Sequence, residues 1–263
     1  MRENRLKRLW QEGQPTLGGW LTVPSSFSAE VFAHAGFDWL SVDMQHGLID
    51  YQCAVGMLQA ISTTETVPLV RVPWNEPGII MKALDAGAYG VIIPMVNSRA
   101  EAEAAAAACR YPPRGIRSFG PVRAVYYGGR DYFVHADQEV CCIPMVETAQ
   151  AVDSLDDILS VPGIDAVYVG PADLSVSLGL APAADHDEAV FVEALERIVD
   201  GCRRHNIVPG VHAGNVAVAR KRIEQGFLFI EMCDDAGALA RTAARDLKEM
   251  RPAGAAEGPS AYV

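Results

Sequence analysis

The chain has 263 residues, half of them hydrophobic, a formal net charge of -11 and a pI near 5.0. That length accommodates one large domain with a buried core, and the acidic balance excludes nucleic-acid binding through a basic patch or docking on an anionic membrane. No apolar run reaches the roughly 18 residues of a spanning helix, and the charged stretch from Met1 to Gln11 is not followed by a signal-peptide core, so a soluble cytoplasmic protein is expected.

A short polar helix is predicted first, then a strand over 17–23 and a helix over 25–35 opened by serine caps. Further strands are predicted over 37–44, 67–72, 90–96, 140–146, 166–170, 207–211 and 227–232. Helices fall between them over 51–61, 76–86, 98–110, 149–160, 187–205 and 215–225, with a last one over about 236–250. Eight strand-then-helix units with strands apolar nearly throughout predict an α/β fold, a single-domain (β/α)8 TIM barrel. A doubly wound sheet alternates similarly, but the turn after the first strand, Thr22-Val23-Pro24-Ser25-Ser26, lacks the glycines of a dinucleotide site.

The barrel is expected over residues 1–250 and a flexible tail over 251–263. Tyr111 to Gln138 is too long for a minimal helix-to-strand connection. It lies nominally on the side away from the active end, so reaching the site requires it to fold back or enter a neighbouring subunit. The six cysteines, Cys53, Cys109, Cys141, Cys142, Cys202 and Cys233, have no CxxC spacing and are read as reduced thiols.

Parallel barrels gather ligands at the carboxyl ends of their strands. Cys142-Ile143-Pro144-Met145-Val146 leads directly to Glu147, and Val167-Tyr168-Val169 runs through Gly170-Pro171-Ala172 to Asp173. Either acid alone is an ordinary first-turn helix residue. Both together, at adjacent strand ends, point to a divalent cation held by hard oxygen ligands. The backbone N–H groups at the turn Gly170-Pro171-Ala172, Pro171 having none, are suited to a carboxylate beside that ion.

His46 follows Asp43 at the end of the second strand and is either a proton-transfer group or a structural rim histidine. Arg71 lies inside an apolar strand and needs an anion, from the protein or from a substrate oxygen. Trp20 is core or pocket wall. His212 ends the seventh strand and is weak evidence by itself, while Asp85, at the end of a helix, is undistinguished by spacing.

Together these motifs resemble the HpcH/HpaI aldolase family of metal-dependent pyruvate aldolases, related to the citrate lyase β-subunit. The resemblance runs from Gly18 to about Asp234. It is carried by Phe37-Asp38-Trp39-Leu40-Ser41-Val42-Asp43-Met44-Gln45-His46, Val70-Arg71-Val72-Pro73, Tyr111-Pro112-Pro113-Arg114-Gly115-Ile116-Arg117, Val146-Glu147-Thr148 and Gly170-Pro171-Ala172-Asp173-Leu174-Ser175. It implies that His46, paired with Asp85, moves protons, that Arg71 steadies the enolate and keto oxygens, and that Glu147 and Asp173 bind Mg, Mn or Co.

It further implies that the turn at Gly170, Pro171 and Ala172 receives the pyruvate carboxylate. The reaction it implies is cleavage or formation of 4-hydroxy-2-keto acids by a homo-oligomer, a hexamer. Two positions depart from the family pattern: Gln45 stands where a Glu precedes the histidine, and Met145 where a Gln lies two residues before the metal Glu. The alternatives are oxaloacetate decarboxylation or Claisen-type chemistry through the same enolate, and a non-catalytic barrel that binds a small acid. No Schiff-base lysine is required, since Lys7, Lys82, Lys221 and Lys248 lie in helical or terminal segments.

Overall fold

The computed structural model describes residues 1–251. From residue 252 on, the tail expected from sequence lies outside the described residues. The first half of the chain runs α1 (Arg5–Gln11), β1 (Thr16–Leu21), α2 (Ser26–His34), β2 (Trp39–Asp43), α3 (Tyr51–Ile61), β3 (Val67–Arg71), α4 (Pro77–Asp85), β4 (Gly90–Ile93) and α5 (Arg99–Cys109). Then come α6 (Ala124–Gly128), α7 (Tyr132–Glu139), β5 (Cys141–Pro144), α8 (Ala149–Asp153), α9 (Leu155–Leu159) and β6 (Ala166–Val169). The chain continues through α10 (Pro171–Ser177), α11 (Ala189–His205), β7 (Val208–His212), α12 (Val216–Gln225), β8 (Phe229–Asp234) and α13 (Asp235–Met250).

The eight strands form one parallel sheet in the order β5-β4-β3-β2-β1-β8-β7-β6. Its two ends meet through a parallel bridge between Met145 and Tyr168, with the Val146 N–H donating to Tyr168 O at 2.9 Å. This is the (β/α)8 barrel the alternation predicts. Strands such as β2, β4, β5 and β6 are buried along their whole length, because helices cover one face and the barrel interior the other.

Helix starts follow their caps. Asp50 accepts the Cys53 N–H at 2.8 Å to open α3, and Asn215 accepts the Val218 N–H at 3.0 Å to open α12. The helix predicted over 149–160 is instead two short ones, broken at Ser154, and the stretch after Gly170 is a seven-residue helix rather than a turn. The long segment 111–138 contains α6 and α7. Its Arg123 donates to Leu58 O at 3.2 Å and Ala86 O at 2.6 Å, which ties it to the carboxyl ends of α3 and α4.

Aromatic rings fill the barrel. Trp39 lies 4.2 Å from Phe229 between ring centroids, and Tyr168 lies 5.4 Å from both Trp20 and Phe229. Gly18 faces Trp39 so closely that a Cβ there would overlap the indole. A glycine on β1 therefore makes room for a tryptophan on β2.

Candidate active site

The site is built from residues at or just beyond the carboxyl ends of β1, β2, β3, β5 and β6. Arg71 ends β3 beside Asp43, its register partner on β2. Its Nε donates to Asp43 Oδ1 at 2.8 Å and its Nη2 to Asp43 Oδ2 at 2.6 Å, a two-pronged pair in which Asp43 is buried and Arg71 keeps a little exposed surface. The anion that the arginine needs is thus partly supplied by the protein. Burial pushes the Asp43 carboxyl up, but the Arg71 hydrogen bond and charge outweigh it and hold Asp43 below the usual range. Nη1, with no partner among the described residues, remains for a ligand oxygen.

Trp20 is core: it is nearly buried, and the Arg71 guanidinium lies 4.8 Å above its ring.

Glu147, just past β5, is 2 % exposed and accepts the Met95 N–H on Oε1 at 2.7 Å. Met95 has φ +56°, a left-handed conformation uncommon outside glycine, which turns that N–H toward the carboxylate. Asn97 holds the loop by donating from Nδ2 to Met95 O at 3.0 Å and by accepting a hydrogen bond from Thr148, which follows Glu147.

Burial pushes the Glu147 carboxyl up to about 7; the Met95 N–H and Arg71 work against this, and the charge of Asp173 adds to it. Met145, where the family pattern has a Gln, is buried alongside and offers no amide to relieve it.

Gly170 caps α10 and Asp173 sits in that helix's first turn. A Cβ at Gly170 would overlap Glu147 Oε2 and stand 3.1 Å from Met145 Cε. Pro171 is buried and lacks an N–H, while Ala172 and Asp173 are exposed, and first-turn helix geometry leaves their N–H groups without intrahelical partners.

Among the described residues no three or more His, Cys, Asp and Glu side chains gather as a metal cage. Two carboxylates, one buried and resisting ionisation beside the other's charge, still suit a hard cation, which offsets both charges and leaves positions open for substrate oxygens.

The other proton-transfer residues are placed differently. His46 is exposed on the turn after β2; its backbone N–H donates to Asp43 Oδ1 at 3.3 Å, and its imidazole has no partner among the described residues. Asp85 ends α4, at the far end of a nine-residue helix roughly 13 Å long, and its Oδ1 accepts from Arg117 Nη2 at 2.8 Å. The expected His46–Asp85 pair is therefore not formed within the chain, because α4 carries residue 85 away from the strand ends. Burial pushes the Asp85 carboxyl up, with Arg117 opposing.

Lys7, Lys221 and Lys82 are each engaged by another side chain. Lys7 pairs with Asp165 at 2.7 Å, Lys221 with Asp185 at 2.6 Å, and Lys82 lies 4.2 Å from the Tyr51 ring. Sequence reasoning missed Tyr168 and Glu231. The second carried the same signal as Arg71, a charge within a strand.

An eight-stranded parallel barrel with acids and a guanidinium at its carboxyl mouth is an arrangement suited to small anionic substrates. The sequence pattern of the HpcH/HpaI aldolase/citrate lyase family matches residues 17–242, and this chain belongs to that family, which makes it a carbon–carbon lyase. It is 41 % identical over 248 residues, covering 94 % of this chain and 99 % of the relative, to a hydroxypyruvate/pyruvate aldolase of Rhizorhabdus wittichii. It is 40 % identical over 244 residues, 92 % of each chain, to a 4-hydroxy-2-oxo-heptane-1,7-dioate aldolase of Salmonella dublin. Among solved structures, an HpcH/HpaI aldolase/citrate lyase family protein from Burkholderia cenocepacia superposes with a TM-score of 0.88 at 34 % identity, covering 95 % of this chain and 100 % of that one.

Proposed function

We propose that this chain is a class II pyruvate aldolase that cleaves or forms 4-hydroxy-2-keto acids. Glu147 and Asp173 are the residues to hold a divalent cation, Mg, Mn or Co. Bound there, the ion supplies Lewis acidity to the oxygens of the 2-keto acid. The observation that carries this reading is the shared mouth: Gly170, which opens the helix carrying Asp173, sits so close to Glu147 Oε2 that a Cβ there would overlap it.

Arg71, fixed by Asp43, turns its remaining N–H groups to the keto oxygen and steadies the negative charge that develops as the carbon–carbon bond breaks. The N–H groups of Ala172 and Asp173, at the turn opened by Gly170 and Pro171, receive the substrate carboxylate, with Trp20 as a wall. His46 stands on the open rim, where its imidazole takes the 4-hydroxyl proton in cleavage and returns one in addition.

Asp85 can serve His46 only from a second copy. It lies near Gly120, whose neighbours Ile116, Phe119, Val122 and Tyr126 are exposed by 61, 67, 80 and 87 %. An apolar surface of that kind supports a homo-oligomer, a hexamer in the family resemblance. Six free thiols accord with a cytoplasmic location.

The test is pyruvate release from a series of 4-hydroxy-2-keto acids, with metal stripped and then restored. Activity is expected to vanish on stripping and return with Mg, Mn or Co. Turnover that survives stringent chelation, or full activity in Glu147→Ala, rules the reading out. Oxaloacetate in the same assay separates decarboxylation from aldol cleavage.

A further inference from the structure

An acid–imidazole pair stands at the barrel mouth, outside the corner formed by Glu147 and Asp173. His212 ends β7 and is the register partner of Glu231 on β8. Glu231 has no exposed surface; its Oε2 accepts the Gly214 N–H at 2.8 Å and lies 3.4 Å from His212 Nδ1. The Tyr168 hydroxyl lies 3.4 Å from the same nitrogen.

Glu231 Oε1 is buried without a partner. A carboxylate placed inside a strand with one oxygen unpaired is a cost to folding, and packing alone does not explain it. What the acid does is hold the imidazole. With Nδ1 turned to Tyr168 and Glu231, the other ring nitrogen, Nε2, has no partner among the described residues, and the side chain is 33 % exposed.

The His212 ring meets the Trp20 indole edge-on at 5.4 Å, Tyr168 stacks on the same indole at 5.4 Å, and the Arg71 guanidinium lies 4.8 Å above it. One indole therefore joins this pair to the arginine that faces the keto acid.

We propose that His212, positioned by the buried Tyr168 and Glu231, forms the subsite for the aldehyde, and that it selects short, uncharged aldehydes bearing a free hydroxyl. The proposal rests on the aldolase reading above. An Nδ1–H donated to Glu231 leaves a lone pair on Nε2, which accepts a hydrogen bond from a hydroxyl. An alkyl aldehyde leaves that nitrogen unpaired, and an anionic aldehyde sets its charge against the Nε2 lone pair and the buried Glu231 carboxylate behind the ring. A site built to bond a hydroxyl rejects the analogue that lacks it.

The experiment compares aldol addition of pyruvate to glycolaldehyde, to propanal, which is nearly isosteric but lacks the hydroxyl, and to glyoxylate, which is charged. The wild type is expected to have its highest kcat/KM with glycolaldehyde. His212→Leu should lower the glycolaldehyde-to-propanal ratio about tenfold, mainly through KM, and His212→Gln, whose amide reaches about as far as Nε2, should restore part of it. An unchanged ratio in His212→Leu, or a wild-type preference for glyoxylate, overturns the proposal.

Exchange of the pyruvate methyl protons with deuterated solvent, measured with Mg or Mn and no aldehyde, separates the two ideas. No exchange in the wild type removes the aldolase reading itself. Exchange with an unaltered aldehyde ratio removes only the subsite.

Discussion

Glu147 gathers most of the site's electrostatics on one side chain. Its carboxyl is raised from an ordinary 4.5 to about 7 by burial, with Asp173 adding to the shift against Met95 and Arg71. The folded side chain therefore keeps its proton in a window where the unfolded one has released it. In metal-free protein this makes the fold bind more protons than the unfolded chain, so its contribution to stability falls as pH rises from about 4.5 to about 7. Melting temperatures of metal-free wild type and Glu147→Gln should diverge across that window, the wild type losing ground as pH rises.

A cation held by Glu147 as proposed would compete with the same proton, so its affinity should climb with pH up to about 7 and then flatten in a calorimetric titration. Gly170→Ala tests the geometry without changing charge. Its methyl group would overlap Glu147 Oε2, and the apparent Mg or Mn affinity should fall at least about tenfold while far-UV circular dichroism stays unchanged.

At the scale of elements, β1 and β2 depend on each other through one glycine. Gly18 and Trp39 are register partners, and the indole occupies the space a Cβ would need. Gly18→Ala should destabilise the barrel by about 3 kcal/mol, the upper part of the usual overpacking range. Denaturant unfolding of the double variant Gly18→Ala/Trp39→Phe should recover part of that loss, because the smaller ring withdraws from the new methyl. Recovery of nothing would mean that the cost lies in the backbone of β1 rather than in this contact.

For the whole molecule, the decisive surface is the one formed by 111–138. Arg117 is buried there, with Tyr111 4.6 Å and Tyr132 5.5 Å from its guanidinium, while Val122 and Tyr126 project outward. Val122→Glu combined with Tyr126→Glu should lower the mass seen by sedimentation equilibrium, since two charges cannot be buried in an apolar contact without partners. Should Asp85 reach His46 across that contact, kcat will fall with the assembly. An unchanged mass would remove the proposal that this surface joins subunits.

The sequence determined the barrel by itself, because eight apolar strands separated by capped helices have few other ways to bury both faces of each strand. It also determined that Glu147, Asp173 and Arg71 share one end, since each lies at or shortly after a strand's carboxyl end. Tertiary structure decided what no spacing encodes: that Arg71 spends one edge on Asp43, that Met95 turns its N–H to Glu147, and that Glu231 stands behind His212. It also decided that Asp85 serves Arg117 rather than the histidine of its own chain. Strand periodicity fixes which end of the barrel a residue occupies, but the partner of a side chain depends on register between strands and on how far a helix carries its last residue from the rim, and both follow from packing.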